Sequence, residues 1–245
     1  MKIRGREWSA EEIAARIDHT VLAPNAVRAD IEKACELARR YRFHSVFTNP
    51  YWTPLVAELL EGTGVAAGIS AAFPLGSIST QAKVLEVQDA MRCSQGRLCA
   101  VDMVTNIGML KDGRWDDYRS DIREVVEAAR DLGGPTTEVK AIVESSLLMD
   151  EELRAACICA AEAGVNYVKT STGRGGAPLF KHIGIMKGSV PASVGVKFSG
   201  FGTHNSAELA FLAFTLGADL LGSPQGAFLV DELCGRYATL DASMS

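Results

Sequence analysis

Nothing in this 245-residue chain is apolar for the length a bilayer crossing needs, and its opening, MKIRGREWSAEEIAARIDHT, lacks the apolar run of a secretory leader. The expectation is a cytoplasmic protein with no membrane partner. A basic surplus is also missing: 25 Lys and Arg stand against 30 Asp and Glu, a formal charge of -5, which argues against nucleic acid as a partner. The six cysteines (Cys35, Cys93, Cys99, Cys157, Cys159, Cys234) never take CxxC spacing, so they read as reduced thiols rather than a zinc or redox centre. The histidines, His19, His44, His182 and His204, lie in four separate segments with no HExxH, and they read as core or solvated side chains. No metal and no cofactor is expected. Neither GxGxxG nor GxxxxGK[ST] occurs, which removes the usual signs of a dinucleotide or nucleoside triphosphate fold.

What is present is repetition of one pattern. Short apolar or β-branched runs lie near residues 17–20, 44–48, 65–72, 100–105, 138–143, 165–169, 194–198 and 219–222. Helical periodicity fills the gaps, over 27–41, 53–62, 80–91, 115–133, 150–164, 177–188, 205–217 and from Gln225 to Tyr237. Eight strand-helix units within about 250 residues predict an α/β fold of the (β/α)8 TIM-barrel type, one domain spanning residues 1–245 with no linker. An open doubly wound sheet is the competing architecture, since local pattern does not show whether the sheet closes. Ser9 and Glu12 form a capping-box pattern that starts a short helix before the first strand. Gly64, Gly133, Gly164 and Gly217 fall near helix ends, where a left-handed residue is expected.

Side chains at the C-terminal ends of barrel strands face the active site, so charges there bear on function. Asp102 interrupts AVDMVTNIG, Lys169 ends VNYVK and Lys197 ends VGVK. Burying such charges is costly unless they are paired, and a structural Asp-Lys ion pair is the plain alternative to a catalytic group. At a reference pKa near 10.4, a lysine is neutral in only roughly one molecule in 2,500 at pH 7. A second lysine and desolvation both disfavour the ammonium and free the lone pair for attack on a carbonyl. Lys169 and Lys197 fit the nucleophile-and-perturber arrangement, with Asp102 moving protons. Lys140 and Glu144 share a face of the fifth strand; Lys140 reads as structural ion pairing and Glu144 as a supporting residue of the site.

The segments IDHTVLAPNA, VFTNPYWTP, AAFPLGSISTQAKVLEV, VDMVTNIGMLKDG, KAIVESSLL, AGVNYVKTSTG and VGVKFSG resemble the deoxyribose-phosphate aldolase family over nearly the whole chain. The resemblance implies a lyase: a metal-independent class I aldolase that forms an imine and reversibly cleaves 2-deoxyribose 5-phosphate to acetaldehyde and glyceraldehyde 3-phosphate. By that similarity Lys169 is the Schiff-base lysine, Lys197 its electrostatic partner and Asp102 the acid/base group. Asp18, Asn49 and Thr170 are candidates for shaping the pocket, with a structural role equally open. Homo-oligomerisation is a further expectation of the family.

The phosphate end departs from the family pattern. Where members carry SGG, an apolar residue and Arg, this chain has SGFGTH, with Phe201 at the second glycine position and Thr203 at the arginine position. The later loop reads GSPQG, and Pro224 removes a backbone N–H. Gly173, Arg174, Gly200, Gly202, Gly222 and Ser223, with Gly175, keep anion-binding capacity, and Arg174 supplies a positive charge; alternatively these glycines are only tight turns. Two readings therefore stand beside the phosphorylated substrate: the same imine chemistry on a nonphosphorylated or unusual aldehyde or keto sugar, and a barrel that binds a sugar without catalysis.

Overall fold

Parallel strands covered on both faces read as continuous apolar runs, and here every residue of several strands is buried. A computed structural model describes residues 2–200 and 206–236. In it the predicted runs are β1 (Ile17–Val21), β2 (Ser45–Thr48), β3 (Ala66–Ala71), β4 (Ala100–Val104), β5 (Glu138–Ile142), β6 (Tyr167–Lys169), β7 (Gly195–Ser199) and β8 (Leu220–Ser223). Each pairs in parallel with the next, and β8 returns to β1 through Leu221 opposite Ile17, so the sheet is a closed barrel and the open alternative falls.

The helices are α1 (Ala10–Ala14), α2 (Arg28–Tyr41), α3 (Thr53–Leu60), α4 (Thr80–Cys93), α5 (Ile107–Lys111), α6 (Trp115–Gly133), α7 (Asp150–Glu162), α8 (Lys181–Lys187), α9 (Ala207–Leu216) and α10 (Gly226–Arg236). The expected capping box opens α1: Ser9 Oγ accepts from Glu12 N at 3.2 Å, and Glu12 Oε2 accepts from Ser9 N at 2.9 Å. Helix α6 shows why its span was readable. Tyr118, Ile122, Val125, Val126 and Ala129 form one buried stripe at helical spacing, while Asp116 and Asp117 suit the positive N-terminal end. Its span is as expected, but the left-handed residue falls one position after Gly133. Gly134, at φ +88°, takes that position, while Gly133 is the last helical residue and has no room for a side chain, since a Cβ there would lie 2.4 Å from Thr137 Oγ1.

Short elements escaped the periodicity, among them a hairpin pairing Lys2–Ile3 with Arg6–Glu7, turned by Arg4 and Gly5 at positive φ, and α5, capped by the Asn106 side chain.

Strand alternation divides the interior into two cores. Outward residues such as Val46, Ile69, Val101, Met103, Val139, Val168 and Val196 pack on the helices in one continuous apolar cluster. Each large one contributes about 1.5–3 kcal/mol by leaving water. Inward residues are of another kind: Asp18, Ser45, Phe47, Asp102, Lys140, Lys169 and Lys197, held in a space too dry for unpaired charge. Two strand glycines give them room. A Cβ on Gly68 would meet the Phe47 ring at 2.5 Å, and one on Gly222 would lie 3.0 Å from Lys197 Cε.

Candidate active site

A cleft of about 1120 Å³ opens at the C-terminal ends of the strands, and Lys169 lies in its wall. Lys169 ends β6 directly opposite Lys197 of β7 in the strand register. Its Nζ donates to Asp102 Oδ2 at 2.6 Å, and Lys197 Nζ donates to the same oxygen at 2.6 Å. Lys197 also lies 2.6 Å from Asp18 Oδ2, so it bridges two carboxylates. All four groups are buried.

The electrostatics follow from that packing. Burial is the main force on the Lys169 amine and brings it down to about 8; Asp102 pulls the other way, and Lys197 adds to the lowering. Desolvation therefore outweighs the like-charge repulsion that the sequence brings to the fore. Burial alone would raise the Asp102 carboxyl, but Lys169, Lys197 and Lys140 hold it below the ordinary carboxylate range. Asp18 is treated alike: burial opposes ionisation, and Lys140 and Lys197 overcome it. The arrangement supplies a poised amine, an ionised carboxylate touching it and a second lysine on the same carboxylate oxygen.

The loop after Lys169 is tied down from two sides. Thr170 Oγ1 donates to Ser199 O at 2.9 Å and accepts from Ser199 N at 3.0 Å, so Thr170 clamps the ends of β6 and β7 and points away from the cleft lining. Glu144, left-handed at φ +49°, accepts from both the Thr172 backbone N–H and its hydroxyl. Gly173 and Gly200, at φ +78° and +84°, bring the two loops together: a Cβ on Gly200 would sit 2.7 Å from Gly173 N. Gly173, Arg174, Gly200 and Gly222 line the cleft with Lys169. Ser223 is buried, and its Oγ accepts from Gln225 N at 2.9 Å. Asn49 caps the short turn Pro50–Trp52, and Asp18 sits below Lys197; neither lines the cleft. Gly202, like Phe201, Thr203 and His204, lies outside the described residues.

Curated relatives decide the family. The deoxyribose-phosphate aldolase 1 of Bacillus licheniformis is 41% identical over 224 residues, covering 91% of this chain and 96% of that protein. The deoxyribose-phosphate aldolase of Carboxydothermus hydrogenoformans is 41% identical over 226 residues, 92% of this chain and 96% of that one. The chain belongs to the deoxyribose-phosphate aldolase family. It is accordingly an aldolase, a lyase, and not a barrel that merely binds sugar.

The tetrameric deoxyribose phosphate aldolase of Aeropyrum pernix superposes on this aldolase with a TM-score of 0.83 at 26% identity, covering 93% of each chain. No family model matches the chain. Lys33 of α2 and Gln225, which nothing in the sequence singles out, line the same cleft, as does His19. His19 is core-like, stacked on Phe43 at 5.4 Å, and burial pushes its imidazole down to about 4. Among the described residues no three His, Cys, Asp or Glu side chains converge as a metal site, and no helix is long and apolar enough to cross a membrane.

Proposed function

We propose that this aldolase cleaves 2-deoxyribose 5-phosphate reversibly to acetaldehyde and glyceraldehyde 3-phosphate through an imine on Lys169. The observation that carries the reading is the Lys169 amine, lowered to about 8 by burial, in the cleft wall and 2.6 Å from an ionised carboxylate. At pH 7 to 8 a substantial fraction of such an amine is neutral and nucleophilic. Its nitrogen adds to the C1 aldehyde of the open-chain sugar, and the carbinolamine loses water to give an iminium. Loss of the C3 hydroxyl proton then breaks C2–C3. The bond pair flows into the iminium, releasing glyceraldehyde 3-phosphate and leaving an enamine. Protonation at C2 and addition of water return acetaldehyde and the free amine. Asp102, the carboxylate in contact with that nitrogen, moves the protons, and Lys197 keeps Asp102 ionised.

Arg174 supports a phosphorylated substrate, since it is a cationic residue of the cleft lining. Pro224, also in the lining, favours the second reading, the same chemistry on a nonphosphorylated sugar, because it offers no N–H to an anion. Self-association goes with the family reading and is supported by the Aeropyrum pernix tetramer; sedimentation of the purified protein tests it. A cytoplasmic location accords with six free cysteines.

Borohydride reduction in the presence of 2-deoxyribose 5-phosphate, followed by peptide mass mapping, tests the imine. An adduct on Lys169 is expected, and absence of any adduct there overturns the mechanism. Turnover of 2-deoxyribose 5-phosphate against 2-deoxyribose separates the substrates. A preference for the phosphate ester supports the first reading, and equal turnover supports the second.

A further inference from the structure

The ion pairs do not stop beneath the active site. Below Lys197, Asp18 Oδ2 lies 3.5 Å from Lys140 Nζ, and Lys140 donates to Glu138 Oε1. The same Glu138 oxygen is 3.1 Å from His44 Nε2, which is itself 4.0 Å from Asp18 Oδ1. Basic and acidic side chains thus alternate from the cleft to the opposite end of the barrel, Lys169, Asp102, Lys197, Asp18, Lys140 and Glu138, and His44 Nε2 closes the column against Glu138. Asp102, Lys197, Asp18 and Lys140 are fully buried, whereas the Glu138 and His44 side chains are 20% and 27% exposed.

The remaining groups facing this column are few. The Phe47 ring lies 4.8 Å from Lys140 Nζ and 4.2 Å from Lys197 Nζ, and the Tyr167 ring is 5.4 Å from Lys140 Nζ. Ser45 Oγ donates to Asp18. Asp219, the next carboxylate beside Tyr167, is committed to Val196 N at 2.7 Å and Lys187 Nζ at 2.9 Å. Each charge in the column is consequently shared between the neighbour above and the neighbour below.

We propose that Glu138 and His44, at the far end of the barrel from the cleft, are positioning residues for the aldol reaction, setting through Lys140, Asp18 and Lys197 how tightly Asp102 holds the Lys169 nitrogen. This rests on the Lys169 imine reading. Sharing makes the sign alternate. Without its carboxylate, Glu138 releases Lys140 to Asp18; Asp18 then draws less on Lys197, and Lys197 turns more fully to Asp102. Asp102 in turn grips the Lys169 ammonium less. Removing the His44 imidazole does the reverse, because Glu138 then turns wholly to Lys140 and leaves Asp18 to Lys197. Loss of the distant Glu138 anion acts in the same direction through space.

The test compares E138Q and H44L with the unsubstituted protein by the pH dependence of kcat/KM and of borohydride trapping on Lys169, with circular dichroism as the check on folding. In E138Q the rise that reports deprotonation of Lys169 should move to lower pH, and in H44L to higher pH, each by on the order of 0.5 pH unit. A group that only holds the fold together would change amplitudes and stability without opposite displacements. Failure of either variant to move in its stated direction, with trapping on Lys169 intact, overturns the inference and leaves the imine mechanism standing. Absence of a Lys169 adduct in the unsubstituted protein removes both. Should H44L not fold, H44N, too short to span to Glu138, carries the same expectation.

Discussion

Lys169 and Lys197 share a single oxygen: both ammonium nitrogens lie 2.6 Å from Asp102 Oδ2, although the two strands bear different loads. Lys197 has a second carboxylate, Asp18, whereas Lys169 has the cleft. That asymmetry sets a doubly paired lysine beside one whose burial lowers its amine to about 8.

Replacing Lys169 with Leu should abolish turnover and the borohydride adduct while leaving the circular dichroism spectrum unchanged, since Asp102 keeps Lys197 as a counter-ion. Full activity in this variant would exclude the imine mechanism.

Lys197→Leu should raise the Lys169 pKa, because Asp102 then attracts one cation instead of two. A rise of one to two units reduces the neutral amine at pH 7 by roughly 10- to 100-fold. Measured kcat/KM should fall accordingly and recover in part at alkaline pH. The variant should also lose about 3–5 kcal/mol of stability in urea titrations, as two buried carboxylates lose a partner.

Folding lowers Lys169 from its ordinary 10.5 to about 8. Between these values the unfolded chain binds more protons than the folded one, so this group's contribution to stability rises with pH and is at its most unfavourable below 8. Urea unfolding of the native protein and of Lys169→Met, measured from pH 8 to 10, should show the difference moving in favour of the native protein as pH increases. A constant difference would contradict the depressed amine.

Lys83 and Asp121 form a second buried ion pair, 2.6 Å apart between α4 and α6 and remote from the cleft, with Thr80 Oγ1 donating to the same carboxylate. Lys83→Met should cost about 3–5 kcal/mol in urea unfolding, by stranding the Asp121 charge, with KM unchanged.

Gly200→Ala should impair turnover more than folding. The new Cβ would meet Gly173 N at 2.7 Å in a backbone conformation, φ +84°, that alanine avoids, so the loops on either side of Lys169 must part. Steady-state kinetics and thermal melting separate the two effects.

The barrel was readable because its strands are buried on both faces and separated by amphipathic helices; α6 even kept both its ends. The short hairpin at Lys2–Glu7 and the five residues of α5 are below the length at which periodicity carries information. In the site, Lys169, Lys197 and Asp102 stood out as charges inside apolar runs. Lys33 and Gln225 did not, since a helix lysine and a loop glutamine look solvated until closure of β8 on β1 brings α10 beside α2. Glu138 and His44 were unreadable for the same reason. They begin or precede strands on distant parts of the chain, and only the closed register sets them against each other.

The alternating column also constrains how the sequence can drift. A single replacement inside it leaves a buried neighbour with surplus charge, whereas a simultaneous exchange of an adjacent anion and cation for apolar side chains, such as Glu138 with Lys140, removes both at once. Routes between related barrels at these positions should therefore pass through coupled pairs, and combinatorial libraries will find tolerated variants by varying neighbours together.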